Sequence, residues 1–403
     1  MRTILSCMLC GLALGLSSGC EHLTESRVVT AFAESLKEHD LNRIKAESSS
    51  DFESKAVQGD ETFRALKLVK LPEGLPKVVK VHDTKDKETK RVVEKRVVAV
   101  VGKSRQKVVF RLIPDGKSGR WVVDDLFFNR DEYGETRASL ATRLAVLMSF
   151  EESLAAWKSG DRDQILAAAT PETAEALSSL TPGQLSQFAQ RMTVHMAEET
   201  RILPDERVGD ETAELRLAKD KLVELVFKFR HTGDRWKLDD LALESRESGE
   251  DVASARQVAS AIAAALRFET AYRASDKRTL QQVCTPRFFQ GSLAAADLSL
   301  VKLPEHGAAL DGFDTKLEGA TATFIVPAGN EMLKVTLQQQ PGEQFHSAPR
   351  FLVDEVTIYD LATTQDKRLS SLFTAHATME VFAAALGSHD VQTLRKSATF
   401  DFR

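Results

Sequence analysis

The chain has 403 residues, of which 42% are hydrophobic and 28% are charged, and its formal net charge is −5. This composition is typical of soluble globular domains rather than of disordered or membrane-embedded chains. A chain of this length has room for two to four domains of ordinary size. After residue 20, no stretch approaches the ~18 consecutive apolar residues that a membrane-spanning helix needs.

The N-terminus has the pattern of a secretory signal peptide. Arg2 supplies a positive charge, an apolar run follows over residues 4–16, and residues 17–19 are small. Cys20 comes next, so the segment resembles the bacterial lipobox, in which the cysteine after the cleavage site is lipidated. The usual lipobox has Leu three residues before the cysteine, where this chain has Ser17. We predict a signal peptide over 1–19 and lipidation of Cys20; ordinary cleavage after residue 19 would leave Cys20 without an anchor.

The cysteine usage agrees with export. Two of the four cysteines, Cys7 and Cys10, leave with the signal peptide, and only Cys284 lies in the body of the chain. One body cysteine cannot form an internal disulfide there, so the stability must come from packed cores even in an oxidising compartment. We predict that Cys284 is a small buried side chain without a reactive role.

An amphipathic helix that ends at an aspartate recurs along the chain. The four aspartates are separated by 121, 115 and 114 residues: Asp40, Asp161, Asp276 and Asp390. Large apolar side chains stand four residues before each of them: Leu36, Trp157, Tyr272 and Leu386. Apolar positions spaced by three and four residues form one buried stripe on a helix. A hydroxyl nine residues after each aspartate predicts the N-cap of a further helix: Ser49, Thr170, Thr285 and Thr399.

A second landmark is a pair of strands that closes each of the first three copies. It ends in the segments WVVDDL, WKLDDL and FLVDEV, whose first residues are 115 residues apart: Trp121, Trp236 and Phe351. An apolar or alternating run and a turn precede each segment, which predicts an antiparallel hairpin. We expect the rings of Trp121 and Trp236 to be mostly buried against the first helix of their own copy.

The repeat sets the predicted domain boundaries. We predict modules over 27–130, 143–246 and 256–362, and a partial fourth module over 368–403 that has only the helical part. Short polar linkers separate them at 129–141, 245–255 and 362–367. The first and third copies also share six of seven residues between 66–72 and 298–304. The coincidence of these registers establishes the repeat in the sequence.

Helices followed by strands that end in a W-x-[VL]-D-D-[LV] segment resemble the nuclear transport factor 2-like superfamily, also called SnoaL-like or ketosteroid-isomerase-like. The resemblance covers each complete copy and rests on element order, the helix aspartate and the closing tryptophan strand. It implies an α+β fold of tandem cone-shaped modules, in which N-terminal helices pack on a curved antiparallel sheet around a pocket. Such folds carry enzymes, ligand carriers and interaction modules, so the fold alone does not give a function.

The recurring acidic residues are the first candidates for catalysis. The aspartates that end the helices precede new helical turns, which is the position of an N-cap. Neighbouring strand residues face opposite sides, so Asp124–Asp125 and Asp239–Asp240 should not form a close carboxylate pair. We expect these four to be exposed or in salt bridges. Since the sequence also has no metal-ligand spacing, phosphate loop or nucleophile motif, we predict no catalytic, cofactor-binding or metal-binding residues.

One segment of the first copy is strongly basic. From Lys67 to Arg111 there are fourteen Lys/Arg and five Asp/Glu, a net charge of +9 against −14 for the remainder. Alternation of charged and apolar residues is typical of the solvated face of long strands. The alternative is a surface that attracts a protein or an anionic polymer or membrane headgroups. We do not expect nucleic acid, because the interleaved aromatic residues that stack on bases are missing.

Two functions remain open from the sequence. The favoured one is a non-catalytic lipoprotein of the cell envelope, exported and held at the membrane through Cys20, whose serial modules bind or scaffold partners. The alternative is a small-ligand carrier or an enzyme that uses the pocket of one module. A pocket with convergent polar groups in one copy would favour the alternative, whereas apolar filling of every pocket would favour the first.

Overall fold

The structure, a computed structural model, describes residues 22–129, 136–193, 207–218, 222–247, 251–306, 313–340 and 350–397. The predicted signal peptide, Cys20 and Thr399 lie outside these residues. Within them the protein has an α+β fold with three antiparallel sheets of five strands each. The predicted α+β class is confirmed at this level.

In the first copy, helices precede the sheet. The helices are α1 (Leu23–Glu38), α2 (Leu41–Glu47), α3 (Ser50–Ala56) and α4 (Asp60–Leu68). The strands are β1 (Pro76–Lys85), β2 (Val92–Val101), β3 (Gln106–Pro114), β4 (Trp121–Asn129) and β5 (Thr136–Ser139). They lie in the sheet in chain order and every neighbouring pair is antiparallel, so the sheet is a meander.

The second copy repeats this order. Its helices are α5 (Leu140–Ser159), α6 (Arg162–Ala168), α7 (Pro171–Ser178) and α8 (Pro182–Thr193). Its strands are β6 (Arg207–Val208), β7 (Thr212–Ala218), β8 (Val223–Thr232), β9 (Arg235–Ser245) and β10 (Asp251–Ser254). They too lie in the sheet in chain order.

The third copy has less regular helices before its sheet. Its α-helices are α9 (Ala255–Arg273), α10 (Lys277–Val283) and α11 (Pro286–Phe288), and a π-helical turn (Phe289–Leu293) and a 3₁₀ turn (Leu298–Leu300) follow. Its strands are β11 (Asp314–Glu318), β12 (Thr321–Ala328), β13 (Glu331–Gln340), β14 (Arg350–Asp360) and β15 (Gln365–Arg368). Two helices continue the pattern after this sheet: α12 (Leu369–Gly387) and α13 (Val391–Ser397).

The described residues divide into two compact units. One consists of those within Met1–Leu154, Ile202–Leu215 and Phe229–Lys237. The other consists of those within Ala155–Arg201, Arg216–Lys228 and Leu238–Arg403. The first unit contains all of α1–α4 and β1–β5, and the second contains all of α9–α13 and β11–β15. The module boundaries drawn from the repeat stay a prediction.

The predicted helical stripe forms the core of the first copy. Val29, Phe32 and Leu36 recur at spacings of three and four and are at most 2% exposed. Their helix, α1, packs against β1 and β4. The equivalent stripe of α9 is buried in the same way and ends in Phe268 and Tyr272. Burial of each such side chain contributes roughly 1.5–3 kcal/mol, so this stripe holds the helices on their sheets.

The predicted linkers are partly strands. The chain after each closing hairpin adds a short fifth strand that pairs antiparallel with the last long strand: β5 with β4, β10 with β9, and β15 with β14. The helix of the following copy begins at the next residue after each short strand. The polar composition of these segments predicts loops. A four-residue strand at the edge of a sheet needs no apolar pattern of its own, so the sequence does not reveal it.

The closing strand bulges at its acidic pair. Arg111 pairs with Asp125 and Leu112 pairs with Val123, so Asp124 is an extra residue in β4. In the third copy the register shifts in the same way, because Thr336 pairs with Glu355 and Leu337 with Val353, around Asp354. A bulge breaks the strict alternation of strand side chains and re-aims them.

Candidate functional site

The four helix-ending aspartates are N-caps. Asp40 Oδ1 accepts hydrogen bonds from the backbone N–H groups of Asn42 and Arg43, both at 3.1 Å. The other three accept equivalent bonds from the first turn of the next helix: Asp161, Asp276 and Asp390. The residue before each aspartate is left-handed, with φ between 52° and 67°: His39, Gly160, Ser275 and His389. The N-cap interpretation is confirmed.

A second recurring contact joins the short-helix hydroxyl to the first acid of the closing strand. Ser49 Oγ donates to Asp124 Oδ1 at 2.6 Å and accepts from the backbone N–H of Phe52 at 3.0 Å. In the third copy Thr285 Oγ1 donates to Asp354 Oδ1 at 2.8 Å and likewise caps its helix. The acid therefore holds the capping hydroxyl in place, which locks the short helix to the sheet.

The second copy uses the same partners differently. Thr170 stands at the N-cap position but makes no capping bond with its side chain. Its hydroxyl lies 3.1 Å from the hydroxyl of Thr173 and 3.2 Å from Asp239 Oδ1. The prediction of a side-chain cap is thus wrong for Thr170.

The second acid of the closing strand caps the first helix of the following copy. Asp125 Oδ1 accepts from the backbone N–H of Leu126 at 2.8 Å and of Ala141, in α5, at 3.2 Å. Asp240 makes the same pair of bonds to Leu241 at 2.9 Å and to Arg256, in α9, at 3.2 Å.

In the third copy a glutamate replaces this aspartate. Glu355 Oε1 accepts from the backbone N–H of Val356 at 3.0 Å and of Ser370, in α12, at 3.3 Å. A hydroxyl from the start of the helix joins each site: Ser254 donates to Asp240 Oδ2 at 2.5 Å, and Ser370 donates to Glu355 Oε2. Three junctions between copies are therefore built alike.

The expectation that these strand acids are exposed is wrong. Asp124, Asp125 and Asp240 are 8%, 6% and 9% exposed. The expected salt bridge is present for the first acid of each pair, since Arg111 Nη2 lies 2.6 Å from Asp124 Oδ2 and Arg256 Nη1 lies 3.6 Å from Asp239 Oδ1. For Asp124 and Asp125 the strand bulge explains the difference, because it lets both neighbours turn inward.

Burial has an electrostatic consequence at the second acid. It raises the pKa of Asp125 and of Asp240 above the ordinary value, against the lowering effect of their hydrogen bonds. A carboxyl with a raised pKa is also what a general acid needs. Here, however, the carboxyl oxygens are already occupied by the backbone N–H groups and hydroxyl they cap, so the geometry favours a structural role.

One buried histidine–carboxylate pair has no sequence signal. His306 Nε2 lies 2.7 Å from Glu269 Oε2, and burial raises the pKa of Glu269. The two residues are 37 positions apart and neither recurs in the other copies. Tyr272 and Arg273 bind the same segment as His306, which indicates that the pair belongs to a clamp on that segment.

Three further predictions concern the body cysteine, metal binding and the closing tryptophans. Cys284 is 2% exposed, and burial raises the pKa of its thiol to about 12, which confirms a small buried side chain. In the ranges that the structure covers, no group of three or more His, Cys, Asp or Glu could hold a metal ion. Trp236 is buried at 6% exposure and Trp121 is partly buried under the Lys95 ammonium, so most of each side chain is removed from water as expected, while packing against the first helix of each copy stays a prediction.

The first copy contains a cavity of about 650 Å³ between α1, the chain after α4 and the sheet. Its wall consists of buried apolar side chains: Leu36, Leu66, Val69, Val101, Val108, Phe110, Leu126 and Phe128. Polar groups stand at its edge: Lys37, His39, Lys67 and Glu73. This volume and lining are typical of a small-molecule site. His39, at the left-handed turn before Asp40, borders this cavity.

The position four residues before the helix aspartate distinguishes the copies. In the first copy Leu36 stands there and borders the cavity. In the second copy it is Trp157, fully buried with its ring edge-on to Phe188 at 5.8 Å. In the third copy it is Tyr272, whose hydroxyl donates to the carbonyl of Val301 at 2.9 Å. Leu36 therefore borders the cavity with a smaller side chain than the rings at the equivalent positions.

A second cavity of about 840 Å³ adjoins the first and has a mixed polar and apolar lining. Both are lined by the chain from Leu71 to Gly74 and by Phe128. We call this second cavity the basic groove. Three cations line it, Lys70, Lys103 and Arg143, together with Gly102, Ser104 and Gln106 from the turn after β2 and the start of β3. Glu73 is the one carboxylate in this lining.

Two glycines form the boundary of the basic groove. Gly74 has φ +110° and Gly102 has φ +67°, and a side chain on Gly102 would meet the carbonyl oxygen of Glu73 at 2.2 Å. Such an approach requires glycine. It places the turn after β2 against the chain that borders the apolar cavity. Three cations of the basic segment line the two cavities, Lys67, Lys70 and Lys103. At the tip of the β1–β2 hairpin the charges balance, because residues 83–94 have four basic and four acidic side chains.

The chain matches no protein-family model, no curated protein and no solved structure at a significant level. Within the described ranges, one helix is long and apolar enough to cross a membrane by length and composition alone: α12, with a mean hydropathy of 1.2 and 17% of its window buried. The expectation that no such stretch follows residue 20 is therefore wrong by this criterion. Core helices of soluble proteins pass the same test, so the finding is weak evidence for a membrane span.

Proposed function

We propose that this chain is a non-catalytic binding or scaffolding lipoprotein of the cell envelope, built from serial nuclear transport factor 2-like modules. It is exported by its signal peptide and held at the membrane through lipidated Cys20. Each module is a cone in which N-terminal helices pack on a curved antiparallel sheet.

The recurring carboxylates carry this proposal. Each of the first three copies repeats three acidic positions, and each position accepts from a helix N-terminus or from the hydroxyl at the start of a short helix. Groups that hold backbone N–H donors in this way are bound within the fold and do not face a substrate. Repetition of the same contacts in three copies supports a role common to all of them, which is to build the array.

The second acid of each closing strand supports a serial arrangement of the modules. Asp125, Asp240 and Glu355 each lie in the sheet of one copy and cap the first helix of the next. Modules joined by flexible linkers would not need a buried carboxylate at every junction. Serial modules with fixed junctions suit a protein that presents several weak sites at defined spacing, where avidity comes from effective concentration.

Anchoring gives the first experiment. A Cys20→Ser variant of the full precursor should move from the membrane fraction to the soluble periplasmic fraction, because the residue that would carry the lipid is gone. Cys284→Ser is the matched control, since this buried thiol has no role in anchoring, and it should fractionate as the wild type does. Equal partition of Cys20→Ser and wild type would remove the lipoprotein proposal.

The cavity of the first copy favours a second function, a small-ligand carrier. Its apolar wall and polar edge occur in the copy where Leu36 replaces the aromatic ring of the other two. The observation is compatible with a binding array in which one module also carries a ligand. An enzyme that uses the same pocket stays the alternative, since His39 and Glu73 both border the cavity.

A further inference from the structure

We propose that the first copy binds a single-chain amphiphile with an anionic head, with the chain in the apolar cavity and the head in the basic groove. The inference deepens the carrier function proposed above and names its ligand class. It depends on two adjoining cavities, one walled by buried apolar side chains and one bordered by three cations, that share the segment from Leu71 to Gly74 and Phe128.

The apolar cavity selects the chain. Its buried side chains offer no hydrogen-bond partner, so a polar ligand would lose its hydration there without compensation. A hydrocarbon chain instead gains about fourfold in affinity for each methylene that leaves water. A volume of about 650 Å³ lies within the usual range for sites that take small organic ligands.

The basic groove selects the head. Lys70 and Lys103 are exposed, and neither ammonium forms an ion pair with a carboxylate in the part of the chain that the structure describes. Arg143 adds a third cation, with its guanidinium 5.5 Å from the centre of the Phe128 ring. Phe128 also lines the apolar cavity, so the cation lies where a ligand would pass from one space to the other. A carboxylate or phosphate head suits these three cations.

The other copies explain why the site belongs to the first. The chain after the third-copy helices has the same sequence, LVKLP, as the segment bordering the cavity. There Tyr272 and Arg273 bind its carbonyl oxygens, at Val301 and at Pro304, the latter at 2.7 Å. In the first copy the equivalent residues are Leu36 and Lys37, which border the open cavity instead.

Binding is tested on the full mature chain carrying Cys20→Ser, with dodecanoate and dodecan-1-ol as probes below their aggregation limits. Isothermal titration should detect dodecanoate, and octanoate should bind more weakly by up to about fourfold per methylene removed. Leu36→Trp copies the second-copy ring into the cavity and should weaken both probes by at least about tenfold. Leu36→Met nearly conserves the volume and should keep binding.

The head group is tested by charge reversal. Lys70→Glu with Lys103→Glu should weaken dodecanoate about tenfold and leave dodecan-1-ol unchanged. The matched control is Lys85→Glu with Lys87→Glu at the β1–β2 turn, which changes the net charge equally but lies outside both cavities. It should leave both probes unchanged. Circular dichroism melting of each variant excludes loss of fold as the cause.

Three results would overturn the inference. They are no detectable dodecanoate binding, an equal loss in the two charge-reversal variants, or no effect of Leu36→Trp in a folded chain. None of them touches the anchoring experiment, which reads the location of Cys20→Ser and needs no ligand. Conversely, a chain that stays soluble with intact Cys20 would remove the lipoprotein proposal and leave the amphiphile site standing.

Discussion

The junction carboxylate should act through its oxygens rather than its charge, and Asp240 offers the sharpest test. Its Oδ1 accepts from the backbone N–H groups of Leu241 and Arg256, and its Oδ2 accepts from Ser254 Oγ at 2.5 Å. Asp240→Ala removes both acceptor oxygens, and with them three hydrogen bonds, and leaves buried donors unsatisfied. At about 1–3 kcal/mol for each unsatisfied group, with partial access of water at the helix start, we expect a loss of about 3–5 kcal/mol.

Asp240→Asn separates the two contributions. The amide keeps an oxygen for both backbone N–H groups, and its NH₂ can donate to Ser254 Oγ. Only the ionised acceptor is lost, so the expected cost at neutral pH is about 1 kcal/mol or less.

The pH dependence of the folding stability gives an independent test of the role of Asp240. Burial raises the pKa of Asp240 above its ordinary value of 3.8, so folding favours the protonated carboxyl. Stability from this group is fully present below the unfolded pKa and is lost as pH rises through the folded pKa. Asn cannot ionise, and the variant should therefore gain stability relative to wild type as pH rises from about 4 towards neutral.

The assay is urea unfolding followed by tryptophan fluorescence, with the midpoint and slope recorded for wild type and both variants at several pH values. An Ala variant within about 1 kcal/mol of wild type would refute the capping role. An Asn variant as damaged as the Ala variant would show that the charge, not the acceptor geometry, holds the junction.

Three further predictions concern local packing and capping. Trp236→Ala should cost about 3–5 kcal/mol and half-buried Trp121→Ala about half of that, measured as the loss of unfolding free energy; a reversed order would contradict the burial of the two rings. Ser49→Ala should cost about 1–2 kcal/mol by thermal melting, since it removes a helix cap and leaves the buried Asp124 short of a donor, whereas no change would show that the hydroxyl is dispensable. In a Cys20→Ser chain, Cys284 should resist iodoacetamide at pH 8 until urea unfolds the protein, because its thiol has a pKa raised to about 12; rapid labelling of the native chain would place it at the surface.

The parts of the fold that local physics determines were predictable. The helix caps at Asp40 and its equivalents follow from residue type and spacing, because an aspartate before a new helical turn has few other uses. The closing hairpins follow from alternation and turn residues, and the buried stripe of α1 follows from apolar spacing.

The features that depend on residues far apart in the sequence could not be predicted. The bulge at Asp124 shifts the register by one residue, and its effect on side-chain direction is invisible in a sequence read as a regular strand. The junction caps join residues up to sixteen positions apart across a turn, and the Glu269–His306 pair joins two elements through tertiary packing. The cavity is bordered by Leu36 at the position where the next two copies have Trp157 and Tyr272. The sequence shows this difference in size but not what the two rings pack against.

The most direct test of the proposed function is the intact mass of the chain purified from the membrane fraction of cells that express the full precursor. The account predicts a polypeptide that begins at Cys20 and carries the added mass of covalent lipid. A chain that retains residues 1–19, or that begins at Cys20 with no added mass, would contradict it.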